Sequence, residues 1–276
     1  MQGQSVPVLL EGQTTKYLGR ELRLDAHDDA EIDNRINGAW RRFMSLRKEL
    51  CNQHFPLMQR MRLFGATVSA TLVYGAGTWT INEDRASKPR GAQRRMLRSM
   101  LQRKRARTAK TSAERWREES EEERTEEEAE EEEVETDSEG ESDTAVPNQE
   151  DEEEKDGEEI EPWHEWVQRV TRLALKEMKR EQVEDWVDAA RDRQFKLAGH
   201  ISRRNDNRWS TVALNWAPSD GGRKVGHPLK RWEDDINQCL IALGLIKKAG
   251  EWRIFAEDRE TWQQWGVQSK EFWKTV

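Results

Sequence analysis

The chain has 276 residues, two cysteines and a formal net charge of -8, from 54 acidic and 46 basic side chains. No apolar run approaches the roughly 18–20 residues that a membrane-spanning helix needs, so no membrane segment or membrane partner is predicted. The first residues lack the pattern of a secretory signal. Cys51 and Cys239 are 188 positions apart and form no disulfide framework or paired-cysteine zinc motif, which favours an intracellular protein of nucleus or cytoplasm.

The net charge is distributed very unevenly along the chain. Residues 1–116 sum to +11, residues 117–161 to -23 and residues 162–276 to +4. The acidic segment has five apolar residues in 45 and no aromatic residue, so it cannot bury enough surface to offset the entropy of ordering. The sequence therefore predicts a disordered acidic linker over 117–161, between two basic regions.

The first basic region predicts a β-hairpin followed by three helices. Two extended runs, 6–10 and 16–24, flank a turn at Gly12 and predict a hairpin within residues 1–27. Three helical patterns follow in residues 28–116, the third from about Pro89 to Lys104. Their apolar stripes are Ile32, Ile36, Trp40, Phe43 and Leu50; Leu57, Met61, Phe64, Val68 and Leu72; and Ala92, Met96, Leu97, Met100 and Leu101.

A second helical domain is predicted over residues 162–276. Helical patterns occur at 163–180, 183–203, 208–215, 229–243 and 250–265, and a loop rich in Gly and Pro lies at 217–228. The first pattern places Trp163 and Trp166 on its apolar face. The 13 tryptophans fall mostly at helical core positions, which favours packing over base stacking. The predicted fold class is mostly α, with a small N-terminal β-hairpin.

The strongest chemical signal is the third helix with its basic tail. Ten basic residues and no acid lie between Lys88 and Lys110, and guanidinium groups suit phosphate because they donate two hydrogen bonds at once. The alternatives are a solvated basic face or a nuclear-import patch at 103–107. The candidate nucleic-acid-binding residues are Arg90, Arg94, Arg95, Arg98, Arg103, Lys104, Arg105, Arg107 and Lys110.

A second candidate is the loop at 221–232, where Gly222 and Gly226 permit close approach of the backbone. It lacks the spacing of a P-loop, so a structural turn and a phosphate contact are both open interpretations. Its candidate binding residues are Arg223, Lys224, Lys230 and Arg231.

No catalytic residue, metal site or cofactor is predicted. The segment Trp232–Asp235 resembles the Asp pair of polymerases, but Ile236, Leu240 and Leu243 follow at helical spacing. The carboxylates are therefore interpreted as the first turn of a helix, where the dipole favours them. The histidines at 164, 200 and 227 are isolated from each other and from cysteine.

Several short segments follow one another in an order that resembles a known family. They are KYLG (16–19), EIDNRI (31–36), LVYGAGTW (72–79), RRMLRSML (94–101), LAGHISRRNDNRW (197–209) and GRKVGHPLKRWEDDI (222–236). In this order they resemble the end of the palm, the thumb and the post-thumb region of reverse transcriptases from LINE-type non-LTR retrotransposons. The resemblance implies that residues 28–104 form a thumb-like bundle that grips a template–primer duplex.

The resemblance also implies that this chain is not an enzyme as it stands. The catalytic Asp residues of such a polymerase would lie upstream of Val6, so the chain is expected to be a non-catalytic remnant with weak, sequence-independent binding to RNA or DNA backbones. Two alternatives are a fragment of an active RNA-directed DNA polymerase whose palm is missing, and an interaction protein whose acidic tract binds basic partner proteins.

Overall fold

The computed structural model describes residues 13–17, 19–23, 27–106, 160–204, 210–212 and 230–275. The strands and helices are β1 (Thr14–Tyr17), β2 (Arg20–Arg23), α1 (His27–Ser45), α2 (Arg47–Leu50), α3 (Leu57–Phe64), α4 (Ala70–Leu72), α5 (Glu83–Leu101), α6 (Trp163–Arg180), α7 (Trp186–Ser202), α8 (Asp234–Ala242), α9 (Trp252–Phe255) and α10 (Arg259–Thr275). A π-helical turn, Gly65–Ser69, separates α3 from α4, and a 3-10 turn covers Ala76–Thr78. The fold is mostly helical with one small hairpin, as the sequence predicts.

Contacts divide the chain into two compact units with limits that differ from the expected domains. Unit 1 comprises Met1–Gln102 and Ala174–Val276, and unit 2 comprises Arg103–Leu173. The sequence analysis separated 28–116 from 162–276, whereas unit 1 contains helices from both. The difference arises because an apolar stripe shows that a helix packs, but not which other helix covers it.

The hairpin is formed by a shorter stretch of chain than expected. β1 and β2 pair antiparallel, with Thr14 opposite Arg23. The run 16–24, expected as a single strand, turns back at Gly19, whose φ of 77° favours glycine. The expected strand at 6–10 lies outside the described residues. So do nearly all of the acidic segment, the 217–228 loop and most of the helix expected at 208–215.

Glu31 fastens the hairpin to α1. Its side chain is fully buried and accepts the Glu21 N–H of β2 at 2.6 Å and the Arg35 Nε–H at 2.7 Å. Arg35 also donates to the Gly19 carbonyl oxygen at 2.5 Å. The buried Glu31 carboxylate is therefore paired with Arg35, and Arg35 also contacts the hairpin turn. A buried charge is tolerated when it is paired and hydrogen-bonded in this way.

The main core of unit 1 is built by helices from both halves of the chain. Phe43 of α1 meets Phe64 of α3 edge to face, and the Phe64 ring stacks on Trp186 of α7 with 5.9 Å between centroids. The Trp186 indole N–H donates to Ser69 Oγ in the π-turn at 2.8 Å. Burial of each such aromatic side chain contributes about 1.5–3 kcal/mol, so this contact is a main source of cohesion between the two halves.

Gln93 adds directed hydrogen bonds to the same contact. Its buried side chain donates to the Glu184 carbonyl oxygen at 2.9 Å and accepts the Trp186 N–H at 3.1 Å. The second of these satisfies a backbone donor in the first turn of α7, where no intrahelical acceptor exists. Gln93 thus fixes the position of α7 against α5.

A second core in unit 1 joins α7, α8, α9 and α10. Phe195 and Trp262 stack with 4.0 Å between ring centroids, and the Trp262 indole N–H donates to the Phe195 carbonyl oxygen at 3.1 Å. Trp252 and Leu240 are buried in the same cluster. These tryptophans fill the core positions that the helical periodicity predicted.

Capping residues set two helix limits differently from the expectation. α5 begins at Glu83 rather than Pro89, because the Asn82 side chain accepts a hydrogen bond from its first turn. The pattern at 250–265 is divided into α9 and α10, because the Asp258 carboxylate accepts backbone N–H groups at the start of α10. Within the described parts of the chain, no helix is both long and apolar enough to cross a bilayer.

Candidate nucleic-acid interface

α5 presents a compact group of arginines to solvent. Its inner face, which includes Met96 and Met100, is fully buried in the main core of unit 1. Arg94 and Arg95 are therefore exposed on the outer face, and Arg98 is half-buried one turn further on. Helix periodicity thus brings the three guanidinium groups to one face, as the sequence predicts.

The three arginines place positive charge close together on α5. Burial, followed by the charges of Arg95 and Arg94, lowers the pKa of Arg98. The charges of Arg94 and Arg95 thus lie near enough to Arg98 to act on it. Phosphate oxygens can accept two hydrogen bonds from one guanidinium, so this face is suited to a phosphate backbone.

Arg90 has a different environment from the other candidate residues of α5. Its Nε lies 3.4 Å from Asp185 Oδ1 and its Nη2 lies 3.5 Å from Asp188 Oδ1. Both carboxylates belong to the start of α7, so Arg90 neutralises charge inside unit 1. Lys88 is similarly paired with Asp33 of α1 at 3.0 Å. The face available to phosphate therefore starts at Arg94.

The loop candidates are only partly described. Lys230 Nζ contacts the buried Asp235 carboxylate at 2.5 Å, so its charge is used within unit 1. The Arg231 side chain is exposed, and its backbone N–H donates to Asp234 Oδ2 at 2.7 Å. Four further candidates lie outside the described residues: Arg107, Lys110, Arg223 and Lys224.

The Asp pair at 234–235 lies in the first turn of α8, where the sequence analysis placed it. Asp235 is buried, and burial raises its pKa against the opposing effect of Lys230. Among the described residues, no group of His, Cys, Asp and Glu side chains has the arrangement needed to hold a metal ion.

In unit 2 the basic segment 103–106 is held against the first turns of α6. Two hydrogen bonds join Ala106 and Glu161. The Glu161 N–H donates to the Ala106 carbonyl oxygen at 2.9 Å, and the Ala106 N–H donates to the Glu161 carboxylate at 3.0 Å. Arg169 forms a salt bridge with Glu161 at 2.7 Å. The side chains of Arg103 and Arg105 project from this fixed backbone into solvent.

Two tryptophans lie beside this basic segment. The Trp166 indole N–H donates to the Arg103 carbonyl oxygen at 2.9 Å, and its ring stacks on Trp163 with 4.7 Å between centroids. Trp163 is 65 % exposed, although the sequence analysis placed it on an apolar helix face. The signal for its exposure was its position at the very start of α6, where no preceding helical turn can receive the side chain.

A further basic groove lies in unit 1 between α1 and the π-turn. Its lining residues are Arg35, Arg42, Ala66, Thr67, Ala70, Thr71 and Tyr74. The Arg35 guanidinium lies over the exposed Tyr74 ring, 4.7 Å from its centroid. The sequence analysis did not single out these residues, because the groove depends on how α1 packs across the π-turn.

Comparison with known proteins yields one similarity. No protein-family model and no solved structure match the chain. Over 82 residues the chain is 32% identical to an uncharacterized transposon-derived protein from Caenorhabditis elegans. The chain resembles a transposon-derived protein. The matched segment covers 29% of this chain and 29% of that protein, so the similarity spans less than a third of either.

Proposed function

We propose that this chain is a transposon-derived protein that binds the phosphate backbone of RNA or DNA without sequence preference. The observation that carries the proposal is the group Arg94, Arg95 and Arg98 on the outer face of α5. The stretch from Lys88 to Lys110 contains ten basic residues and no acidic residue, so its own sequence is uniformly positive. Contacts to phosphate oxygens carry no base-sequence information.

The similarity to a transposon-derived protein supports an origin in a mobile element. The finer proposal is a remnant of the thumb and post-thumb region of a LINE-type reverse transcriptase. It rests on the succession of short segments from KYLG to GRKVGHPLKRWEDDI. In that proposal α1, α3 and α5 correspond to the thumb, whose role is to hold a duplex.

The chain as it stands is proposed to have no polymerase activity. Two-metal catalysis requires carboxylates that converge on an open metal site. Asp235 is instead buried against Lys230, and Asp234 receives the Arg231 N–H in the first turn of α8. Primer extension with the purified chain, Mg²⁺ and nucleotides is expected to yield no product. Incorporation that is lost on Asp234→Ala would contradict this part of the proposal.

The binding proposal is tested by fluorescence anisotropy with the full chain and two duplexes of unrelated sequence, over a series of salt concentrations. Each phosphate neutralised on B-DNA contributes about 0.9 to the slope of log affinity against log salt. The variant Arg94→Ala/Arg95→Ala/Arg98→Ala is expected to weaken binding to both duplexes equally. Its salt slope should fall by about 2–3, since three phosphate contacts are lost.

A charge-matched control separates this site from the overall charge of the protein. Lys179, Lys247 and Lys248 are exposed lysines on other parts of unit 1. Their triple replacement by Ala changes the net charge by the same amount and is expected to leave the salt slope close to that of the parent. Equal losses in the two triple variants, or binding that does not depend on salt, would refute the proposal.

A further inference from the structure

An exposed aromatic stack beside fixed basic side chains distinguishes unit 2. Trp163 shows 65 % of its surface to solvent, and its inner ring face rests on Trp166 at 4.7 Å with an interplanar angle of 29°. Trp166 is itself held by its hydrogen bond to the Arg103 carbonyl oxygen. The Trp163 ring is thus supported on one side by Trp166, while most of its surface stays open to solvent.

The basic residues next to this stack are held in place through their backbone. Arg169 donates to the Lys104 carbonyl oxygen at 3.3 Å, and Ala106 is bonded at both its N–H and its carbonyl to Glu161. The Glu161 carboxylate is buried and neutralised by Arg169, so it does not oppose an incoming anion. Arg103 and Arg105 therefore present exposed side chains from a hydrogen-bonded segment whose backbone contacts Trp166.

This combination fits one class of ligand. A duplex stacks its bases internally and leaves no base face for an aromatic side chain, whereas single-stranded RNA or DNA has free base faces next to each phosphate. Proteins that bind single strands without sequence preference combine aromatic platforms with a positive track for the backbone. The Trp163–Trp166 stack provides the aromatic platform, and Arg103 and Arg105 provide the positive charges. The hydrogen bond from the Trp166 indole N–H to the Arg103 carbonyl oxygen joins the two.

We infer that Trp163 is a stacking platform for an unpaired base of single-stranded RNA or DNA, with Arg103 and Arg105 contacting its phosphates. This inference rests on the proposed function, because it takes the chain to bind nucleic acid. It goes beyond that function because it assigns a single-strand preference to unit 2. The arginines of α5 contact backbones in general, whereas Trp163 discriminates unpaired from paired strands.

The test measures the affinity of the full chain for an oligo(dT) strand and for a duplex of equal length at one salt concentration. Trp163→Ala is expected to weaken oligo(dT) binding about fivefold or more, because stacking on one aromatic side chain contributes that factor or more. Duplex affinity should stay unchanged. Trp163→Phe, which keeps a ring, should retain most of the oligo(dT) affinity. Circular dichroism confirms the fold of each variant, as Trp163 is exposed.

The matched control is Phe55→Ala, which removes another exposed aromatic ring, in unit 1. It is expected to leave oligo(dT) affinity unchanged. The inference is overturned if Trp163→Ala has no effect on oligo(dT), if Phe55→Ala has the same effect, or if duplex binding falls in parallel. In each case the Arg94→Ala/Arg95→Ala/Arg98→Ala variant tests the proposed function independently of Trp163.

A second measurement needs no variant. Oligo(dT) with 5-bromouracil at one position crosslinks on irradiation to an aromatic side chain stacked on that base. Mass spectrometry of the digested complex is expected to find the crosslink on the peptide that contains Trp163. Crosslinks confined to peptides from unit 1 would place the single strand elsewhere and overturn the inference, while leaving backbone binding by α5 intact.

Discussion

The Trp262 indole ring lies directly against the backbone of Gly199. A Cβ atom at Gly199 would fall well inside van der Waals contact with Trp262 Nε1. The ring cannot easily move away, because it is stacked on Phe195 and its N–H donates to the Phe195 carbonyl oxygen. The glycine therefore sets how closely α7 and α10 approach.

Gly199→Ala is expected to lower the free energy of unfolding by about 1–3 kcal/mol, the usual cost of inserting a methyl group into a tightly packed core. The control is Gly91→Ala in α5, where a Cβ atom meets nothing within 4 Å. That change should leave stability unchanged or raise it by about 0.5–1 kcal/mol, since alanine restricts the unfolded chain. Urea denaturation measures both. Equal effects would show that the α7–α10 contact is not tight.

Arg60 acts as a buried capping residue in unit 1. It donates to the carbonyl oxygens of Phe55, Leu50 and Met100 at 3.0, 3.2 and 2.7 Å. The Leu50 and Met100 carbonyls lie in the last turns of α2 and α5, where no intrahelical donor is available. The same side chain thereby joins two helix ends to α3.

Replacement of Arg60 by Leu should remove this donor from the Leu50 and Phe55 carbonyls, while the Met100 carbonyl keeps a hydrogen bond from Gln53 Nε2 at 3.0 Å. The free energy of unfolding is expected to fall by about 2–3 kcal/mol. The control Arg62→Leu removes an exposed arginine from the same helix and is expected to change stability by less than about 0.5 kcal/mol. Thermal unfolding followed by circular dichroism separates the two variants. A similar loss for both would assign the effect to net charge instead.

Helical periodicity predicted most of the elements but not their partners. The stripe that contains Phe64 is evident from its i, i+4 spacing, and its burial is confirmed. Phe64 stacks on Trp186, but several other helices also carry an apolar stripe that could have covered it. Nothing local distinguishes them, so the shared core of the two halves could not be predicted from the sequence.

The candidate site shows the same limit. Basic composition predicted the face formed by Arg94, Arg95 and Arg98, because helix spacing alone brings them together. The pairing of Arg90 with Asp185 and Asp188 joins residues about 95 positions apart and needed the tertiary structure. Composition likewise assigned tryptophans to the core on average and could not identify Trp163 as the exposed member of a stack.

Asp188 is expected to make stability depend on pH. Burial, followed by the charge of Asp185, raises the pKa of Asp188 from 3.8 to about 6, against the opposing effects of Arg90 and Arg191. At pH values between these two pKa values, Asp188 keeps its proton in the folded chain but has already lost it in the unfolded chain. This residue's contribution to stability is therefore complete below about pH 4 and is lost as the pH rises through about 6.

The measurement compares the parent with Asp188→Asn by urea denaturation between pH 4 and pH 8. The difference in unfolding free energy, parent minus variant, should fall by about 1–3 kcal/mol across that window. Asn cannot titrate, so contributions from other residues cancel in the difference. A difference that instead grows with pH would show that the ion pair with Arg90 outweighs the effect of burial.

The acidic segment is expected to compete with nucleic acid for the basic surfaces. Deletion of residues 117–159 removes 25 acidic and 3 basic side chains and changes the formal net charge from -8 to +14. Affinity for a duplex should rise at low salt, and the gain should shrink as salt shortens the Debye length to about 8–10 Å. An internal deletion is the appropriate variant, because a fragment that ends before Trp186 lacks part of the main core of unit 1.

A second variant separates charge from length. Replacement of residues 117–159 by a Gly/Ser linker of equal length should reproduce the gain in affinity, which anisotropy titration with a labelled duplex measures. Affinity equal to that of the parent in both variants would eliminate competition by the acidic segment. A gain in the deletion alone would assign the effect to tether length rather than to charge.

The shared core of unit 1 has a consequence for biosynthesis. The N-terminal part of the unit ends at Gln102, but the ring that covers Phe64 belongs to Trp186. A ribosome adding about 5–20 residues per second takes roughly 4–17 s to make the intervening stretch. During that interval the N-terminal part of the unit is expected to expose an apolar face, which α7 covers once it has been synthesised.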